Sequence, residues 1–85
     1  MQYNFPATKF AKENTMMKQI QHVESEIEEY FNSLGFNEKF EEAIDVYHSL
    51  ETLFRILERQ GTDINLAFEK VQQKNEARGY YELGG

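Results

Sequence analysis

Apolar side chains recur at helical spacing along three stretches of the chain, and glycines separate these stretches. The first stretch predicts a helix over residues 15–34, capped by Asn14 or Thr15. Gly35 suits the position after the C-terminal end of this helix, and Asn37 suits the N-cap of the next one. One face of the first helix carries the apolar stripe Met16, Ile20, Val23, Ile27, Tyr30, Phe31 and Leu34.

The second stretch predicts a helix over residues 38–60 that stops at Gly61. Its apolar residues form a band that is wide for an amphipathic helix, which predicts burial both against the first helix and against a second subunit. The second helix is therefore expected at the centre of a homodimer or a dimer of dimers. The band comprises Phe40, Ala43, Val46, Tyr47, Leu50, Leu53, Phe54 and Leu57.

The third stretch predicts a helix over residues 62–79 that changes character along its length. Its core-facing stripe continues as Asn75 and Arg78, with Lys74 at the edge. Polar groups on such a stripe need partners, and a bound anion would supply them. The apolar start of the stripe is Ile64, Ala67, Phe68 and Val71.

The remaining segments are short, so the 85 residues are expected to form one domain, 1–85. Residues 1–14 are expected to form an ordered arm or a short helix after Pro6. The tail 80–85 is expected to be mobile unless it closes over a ligand. The predicted fold is all-α: an antiparallel hairpin of the first two helices plus a third helix, with the bundle completed by oligomerisation.

Charge and composition narrow the classes of partner. The formal net charge of −6 argues against unaided binding to nucleic acid or to anionic membranes. The absence of cysteine excludes disulfides and thiolate metal sites. The N-terminal segment lacks the apolar core of a signal peptide, and no stretch is apolar enough to span a bilayer, so a cytoplasmic protein is expected.

Two carboxylate pairs, Glu26 with Glu29 and Glu42 with Asp45, lie on either side of the break at Gly35. Each pair is spaced so that it shares one face of its helix. An antiparallel hairpin about the break brings the two pairs level with each other, Glu26 with Asp45 and Glu29 with Glu42. Four carboxylates this close repel one another unless a cation neutralises them, and a hard divalent cation is the obvious candidate.

The other titratable residues of this region fit simpler roles. Glu24 and Glu28 lie on the opposite shoulder of the first helix and, with Glu41, are expected to face solvent or to form salt bridges. His22 and His48 flank the carboxylate pairs. They are expected at the surface or beside the metal ligands rather than among them.

These residues resemble the signature of the MazG-like all-α nucleoside triphosphate pyrophosphohydrolase superfamily, which carries ExxE, a gap of roughly a dozen or more residues, and then ExxD. The first element corresponds to residues 26–29 and the second to residues 42–45, with Val46 following as is common in that superfamily. Residues 74–80, KNEARGY, are similar to the Lys/Asn/Arg segment that many members place near substrate. The resemblance spans residues 16–81.

The resemblance implies an enzyme that cleaves a nucleoside triphosphate between its α and β phosphates, giving the monophosphate and pyrophosphate. It implies that Mg²⁺, with Mn²⁺ as a possible substitute, is held by the catalytic carboxylates Glu26, Glu29, Glu42 and Asp45. That assignment agrees with the preference of Mg²⁺ for a few carboxylates, waters and phosphate oxygens.

The resemblance also implies a substrate-binding role for residues near the end of the third helix. Lys74 and Arg78 would offset the charge of the outer phosphates, and Asn75 would bond phosphate, sugar or base. Tyr80 is either a packing aromatic or a platform on which the base stacks. The chain offers no long fourth helix, unlike fuller members of the superfamily, so the pocket is expected at or near a dimer interface.

Two other functions stay open at this point. Residues 45–48 have the carboxylate-x-x-His spacing of di-iron carboxylate bundles, so a dimer of such hairpins would hold a redox metal pair. That function leaves Lys74, Asn75 and Arg78 unexplained. A non-catalytic helical module that binds a nucleotide or another protein is the second alternative.

Overall fold

The computed structural model describes residues 1–82, and every regular element in that part of the chain is a helix, which confirms the all-α class. Among the described residues, no helix has both the length and the apolar character needed to cross a membrane. Residues 83–85 of the predicted tail lie outside the described part. The elements are α1 (Phe10–Glu13), α2 (Met16–Asn32), α3 (Phe36–Arg59) and α4 (Ile64–Ala77).

Side-chain caps start α2 and α4, and a glycine follows α3. The Thr15 hydroxyl accepts a hydrogen bond from the Lys18 N–H at 3.1 Å. The Asp63 carboxylate accepts one from the Leu66 N–H at 3.0 Å. Gly61 has φ +94°, a left-handed conformation that glycine adopts without the steric cost of a Cβ atom, and it ends α3 where the sequence predicts.

The break between α2 and α3 differs from the sequence prediction. Ser33 closes α2 in extended conformation, and its hydroxyl donates to the Tyr30 carbonyl at 2.7 Å. Gly35 has φ −85° and is itself the N-cap of α3, so Asn37 lies within the first turn. The predictions for Gly35 and Asn37 are therefore wrong. The Lys39 ammonium donates to the same Tyr30 carbonyl at 2.8 Å, so the end of α2 is satisfied without a left-handed residue.

α2 and α3 pack against each other as an antiparallel hairpin whose helices are joined by residues 33–35. Near the open end of the hairpin, Gln19 Nε2 donates to the Ser49 carbonyl at 2.9 Å. Near its closed end, Lys39 Nζ reaches the Tyr30 carbonyl. The two contacts keep the same register along the whole hairpin, and this register fixes which turns of the two helices face each other.

The buried core is small and lies toward the open end of the hairpin. Gln19, which lies outside the predicted apolar stripe, is 1% exposed, and its amide is bonded to both Asn14 and Ser49. Phe31 and Leu34 belong to that stripe but are 72% and 95% exposed, so its prediction as core is wrong at this end because no described segment covers the hairpin tip. The buried apolar residues are Ala11, Val23, Ile56 and Ile64.

The N-terminal arm lies along α3 and is held there mainly by polar contacts. The backbone N–H groups of Asn4 and Phe5 donate to the Glu51 carboxylate at 2.8 and 3.0 Å. Arg55 donates to the Phe5 carbonyl at 2.9 Å and stacks over the Tyr3 ring at 4.0 Å. Glu51 is only 2% exposed, so its charge is buried but fully hydrogen-bonded.

Candidate functional site

The hairpin register gathers three of the four predicted carboxylates. Glu26 and Glu29 come from adjacent turns of α2, and Glu42 comes from the facing turn of α3. One oxygen from each of the three lies within 4.8 Å of the others. The short connection between the helices produces this cluster, because it sets residue 42 opposite residues 26 and 29.

Asp45 lies next to this cluster rather than within it. It lines a cavity of about 140 Å³ together with Glu26. The cavity runs between α2 and α3 toward the N-terminal arm, and the arm contributes Thr8 and Phe10 to its wall. The structure therefore places all four carboxylates at one locus, three of them with converging oxygens and the fourth facing an adjoining hollow.

The electrostatics of the cluster show that it is crowded with negative charge. Burial raises the pKa of the Glu26 carboxyl, and the charges of Glu29 and Asp45 raise it further. The pKa of the Glu42 carboxyl is raised by burial and by the same two neighbours. Each of these causes disfavours the ionised form, so a bound cation would relieve them together.

Two oxygens of the cluster lack any protein partner. Oε2 of Glu26 and Oε2 of Glu42 are buried and accept no hydrogen bond from the described residues. Buried carboxylate oxygens normally accept hydrogen bonds or coordinate metals. An all-oxygen donor set with unused lone pairs fits Mg²⁺, or Mn²⁺ in its place, and Glu26, Glu29 and Glu42 are the residues that would hold it.

Both histidines lie beside the carboxylates and outside the group of converging oxygens, as the sequence predicts. His22 Nε2 is 3.5 Å from Glu26 Oε1. His48 lines the cavity, its ring stacks on Phe5 with centroids 4.1 Å apart, and its Nε2 is buried without a partner among the described residues. The sequence indicates these positions, because His22 precedes Glu26 by four residues and His48 follows Asp45 by three, so each histidine shares a helix face with a carboxylate.

The remaining acidic residues of the hairpin lie away from the site. Glu24, Glu28 and Glu41 are exposed, and none of them belongs to the group of converging oxygens. Glu24 is therefore a suitable control for Glu29, because both are exposed glutamates on α2 and only Glu29 takes part in the cluster.

The predicted substrate-binding residues are not brought to this cavity within one chain. Lys74, Asn75, Arg78 and Tyr80 are absent from its lining. They contact each other instead: the Arg78 guanidinium lies 5.7 Å from the Tyr80 ring, and the Tyr80 N–H donates to the Asn75 carbonyl at 3.0 Å. α4 packs on α3 through the edge-to-face pair Phe68 and Phe54. That contact lies about 14 Å beyond Asp45 along α3.

Comparison with known proteins yields no relative, because no protein-family model, no curated protein and no solved structure matches the chain. Function is therefore inferred from the residues of the site. The converging oxygens of Glu26, Glu29 and Glu42 form a group that could hold a cation, and Asp45 adds a fourth carboxylate in the adjoining cavity.

Proposed function

We propose that this protein is a Mg²⁺-dependent nucleotide pyrophosphohydrolase that cleaves a nucleoside triphosphate to the monophosphate and pyrophosphate. The observation that carries the proposal is the convergence of three carboxylates, two of which have a buried and unpartnered oxygen. The resemblance of the acidic pattern and of residues 74–80 to the MazG-like superfamily supports the choice of substrate.

In the proposed mechanism, Glu26, Glu29 and Glu42 would hold the metal ion. When bound, Mg²⁺ supplies positive charge that offsets the charge of the phosphates. Asp45 accepts a proton from water as the water oxygen bonds to the α-phosphorus. The bond between the α-phosphorus and the bridging oxygen breaks, and pyrophosphate leaves with that oxygen.

Lys74, Asn75, Arg78 and Tyr80 are proposed to bind the substrate. The cations Lys74 and Arg78 suit the outer phosphates. The amide of Asn75 and the phenol of Tyr80 suit the sugar or the base. Because these four residues do not line the acidic cavity within one chain, the proposal requires a second copy, in a homodimer or a dimer of dimers, to bring them to the carboxylates. Arg78→Ala should then weaken nucleotide binding and leave metal binding intact.

Thermal melts test the metal site directly. Glu29→Gln should leave the metal-free protein as stable as the wild type or more stable, because one like charge leaves a crowded cluster. The stabilisation by Mg²⁺ should be lost; for a native-state ligand at 100 times its Kd this stabilisation is about 2.7 kcal/mol. Glu24→Gln is the matched control and should retain the Mg²⁺ shift. If Glu24→Gln loses that shift and Glu29→Gln keeps it, the site is on the wrong face of α2.

Activity is tested by pyrophosphate release from a panel of nucleoside triphosphates with Mg²⁺. Release that disappears in Asp45→Asn supports the proposal. If the protein binds nucleotides but releases pyrophosphate from none of them, it is instead a non-catalytic binding module.

One observation favours a second function. His48 Nε2 is buried and unpartnered in the cavity that Asp45 also lines, and imidazole nitrogen is a good ligand for iron. A di-iron carboxylate protein would contain iron when purified and would show its colour. A colourless, iron-free protein with a Mg²⁺-dependent melting shift excludes this second function.

A further inference from the structure

The chain is more open than a self-sufficient domain of its size. A monomeric protein of 10.1 kDa is expected to expose about 5,300 Å², whereas this chain exposes 6707 Å². Its Cα radius of gyration is 15.1 Å, against about 12 Å for a compact chain of 85 residues. The excess surface of roughly 1,400 Å² exceeds the 800 Å² or so that each partner buries in a stable interface.

Two apolar surfaces are candidates for covering this excess. The tip patch comprises the exposed residues at the closed end of the hairpin: Phe31, Leu34, Phe36 and Phe40. The α3–α4 groove is a hollow of about 350 Å³ between the C-terminal half of α3 and α4. Its apolar lining consists of Phe54, Leu57, Ile64, Ala67, Phe68 and Val71.

The charge around each surface decides which of the two can form a contact between two copies of this chain. Residues 24–45, which surround the tip patch, contain eight acidic residues and one basic residue. Two tip patches brought together would therefore set strongly negative segments against each other. Residues 54–71, which form the α3–α4 groove, contain three acidic and three basic residues, so two copies meet there without net repulsion.

We propose that the α3–α4 groove is the docking surface for a second copy of this chain, in a twofold arrangement. Phe68 and Val71 are 50% and 49% exposed, and both also line a neighbouring hollow that extends to Tyr81. In a twofold contact the α4 helix of each copy seats these residues against the groove of the other. The resulting cluster of two α3 and two α4 helices is the four-helix arrangement that a single copy lacks.

This inference rests on the homodimer of the proposed function, but it is tested without nucleotide or metal. A failure of catalysis therefore leaves it standing, and a failure of dimerisation through the groove leaves the carboxylate cluster untouched.

Sedimentation velocity of the metal-free chain across micromolar concentrations is the experiment. The wild type should be a dimer. Val71→Glu should weaken the dimer by at least about a hundredfold, because each interface then buries an unpaired carboxylate from both copies. Leu66→Glu is the matched control: Leu66 is 44% exposed on the same helix but does not line the groove, so this variant should remain dimeric.

Phe36→Glu places the same charge in the tip patch and should also remain dimeric. Far-UV circular dichroism checks that each variant is helical, and Ala67→Glu, at a second groove position, decides the matter if Val71→Glu does not fold. The inference is overturned if the wild type, still fully helical, sediments as a monomer throughout the micromolar range. It is also overturned if the folded groove variants remain dimeric, whatever Leu66→Glu and Phe36→Glu do.

Discussion

Replacing Glu51 by alanine is expected to release the N-terminal arm from α3. The Glu51 carboxylate accepts hydrogen bonds from the Asn4 N–H, the Phe5 N–H and the Asn4 side-chain amide, at 2.8, 3.0 and 3.2 Å. It is 2% exposed, so water does not replace these bonds while the arm stays docked. Truncation leaves the two backbone donors either unsatisfied or free to rehydrate by detachment of the arm.

The expected loss follows from the number of bonds. A hydrogen bond to a charged group contributes about 1.5–3 kcal/mol, but the donors regain water when the arm detaches, so about 1 kcal/mol per bond is the appropriate net figure. Three bonds then give about 3 kcal/mol, a large part of the roughly 4–13 kcal/mol expected for a domain of this length. For such a domain the melting temperature should fall by roughly 12–24 °C.

Thermal melts measure the loss, and amide hydrogen exchange locates it. In Glu51→Ala the Asn4 and Phe5 amides should lose their protection, while those of α3 keep it. Glu41→Ala is the control, an exposed glutamate on the same helix, and its effect should lie within about 0.5 kcal/mol of zero. Equal melting temperatures for the two variants would refute the assignment of Glu51 as the anchor of the arm.

Two further predictions concern pH and the glycines. Hydrogen bonds from the arm outweigh the effect of burial and lower the pKa of Glu51, so its contribution to stability is present above the ordinary value of 4.5 and is lost as pH falls further. The pKa values of Glu26 and Glu42 are raised, so these two groups have the opposite effect: the metal-free protein gains stability as pH falls toward 4.5. The free energy of unfolding measured in urea should therefore be highest near that pH. Gly61→Ala should cost about 1 kcal/mol in the same assay because its φ is +94°, whereas Gly35→Ala, at φ −85°, should be close to neutral.

The sequence predicts the helices and most of the carboxylate cluster for related reasons. Helical periodicity identifies α2, α3 and α4, and i, i+3 spacing puts Glu26 with Glu29 on one face. The hairpin then requires only a short connection to bring Glu42 opposite them. These are local properties of the chain, and periodicity reports local properties well.

Features that depend on distant contacts could not be predicted in this way. The burial of Glu51 depends on an arm that lies 46 and 47 residues earlier in the chain. The position of Arg78 depends on the direction that α4 takes after Gly61. Periodicity identifies the face of α4 that carries Arg78, but it does not determine the helix against which that face packs.

The connection of only three residues, 33–35, has a consequence for how this chain can vary in length. Surface loops usually accept inserted residues at little cost, because their ends can move apart or bulge. Here the two ends of the connection are fixed by the last turn of α2 and the first turn of α3. One added residue would shift the helices by one position, about 1.5 Å and 100° of rotation, and would set Glu41 rather than Glu42 against Glu29. Insertions that are harmless in most loops would therefore disperse the acidic cluster without altering any of its residues.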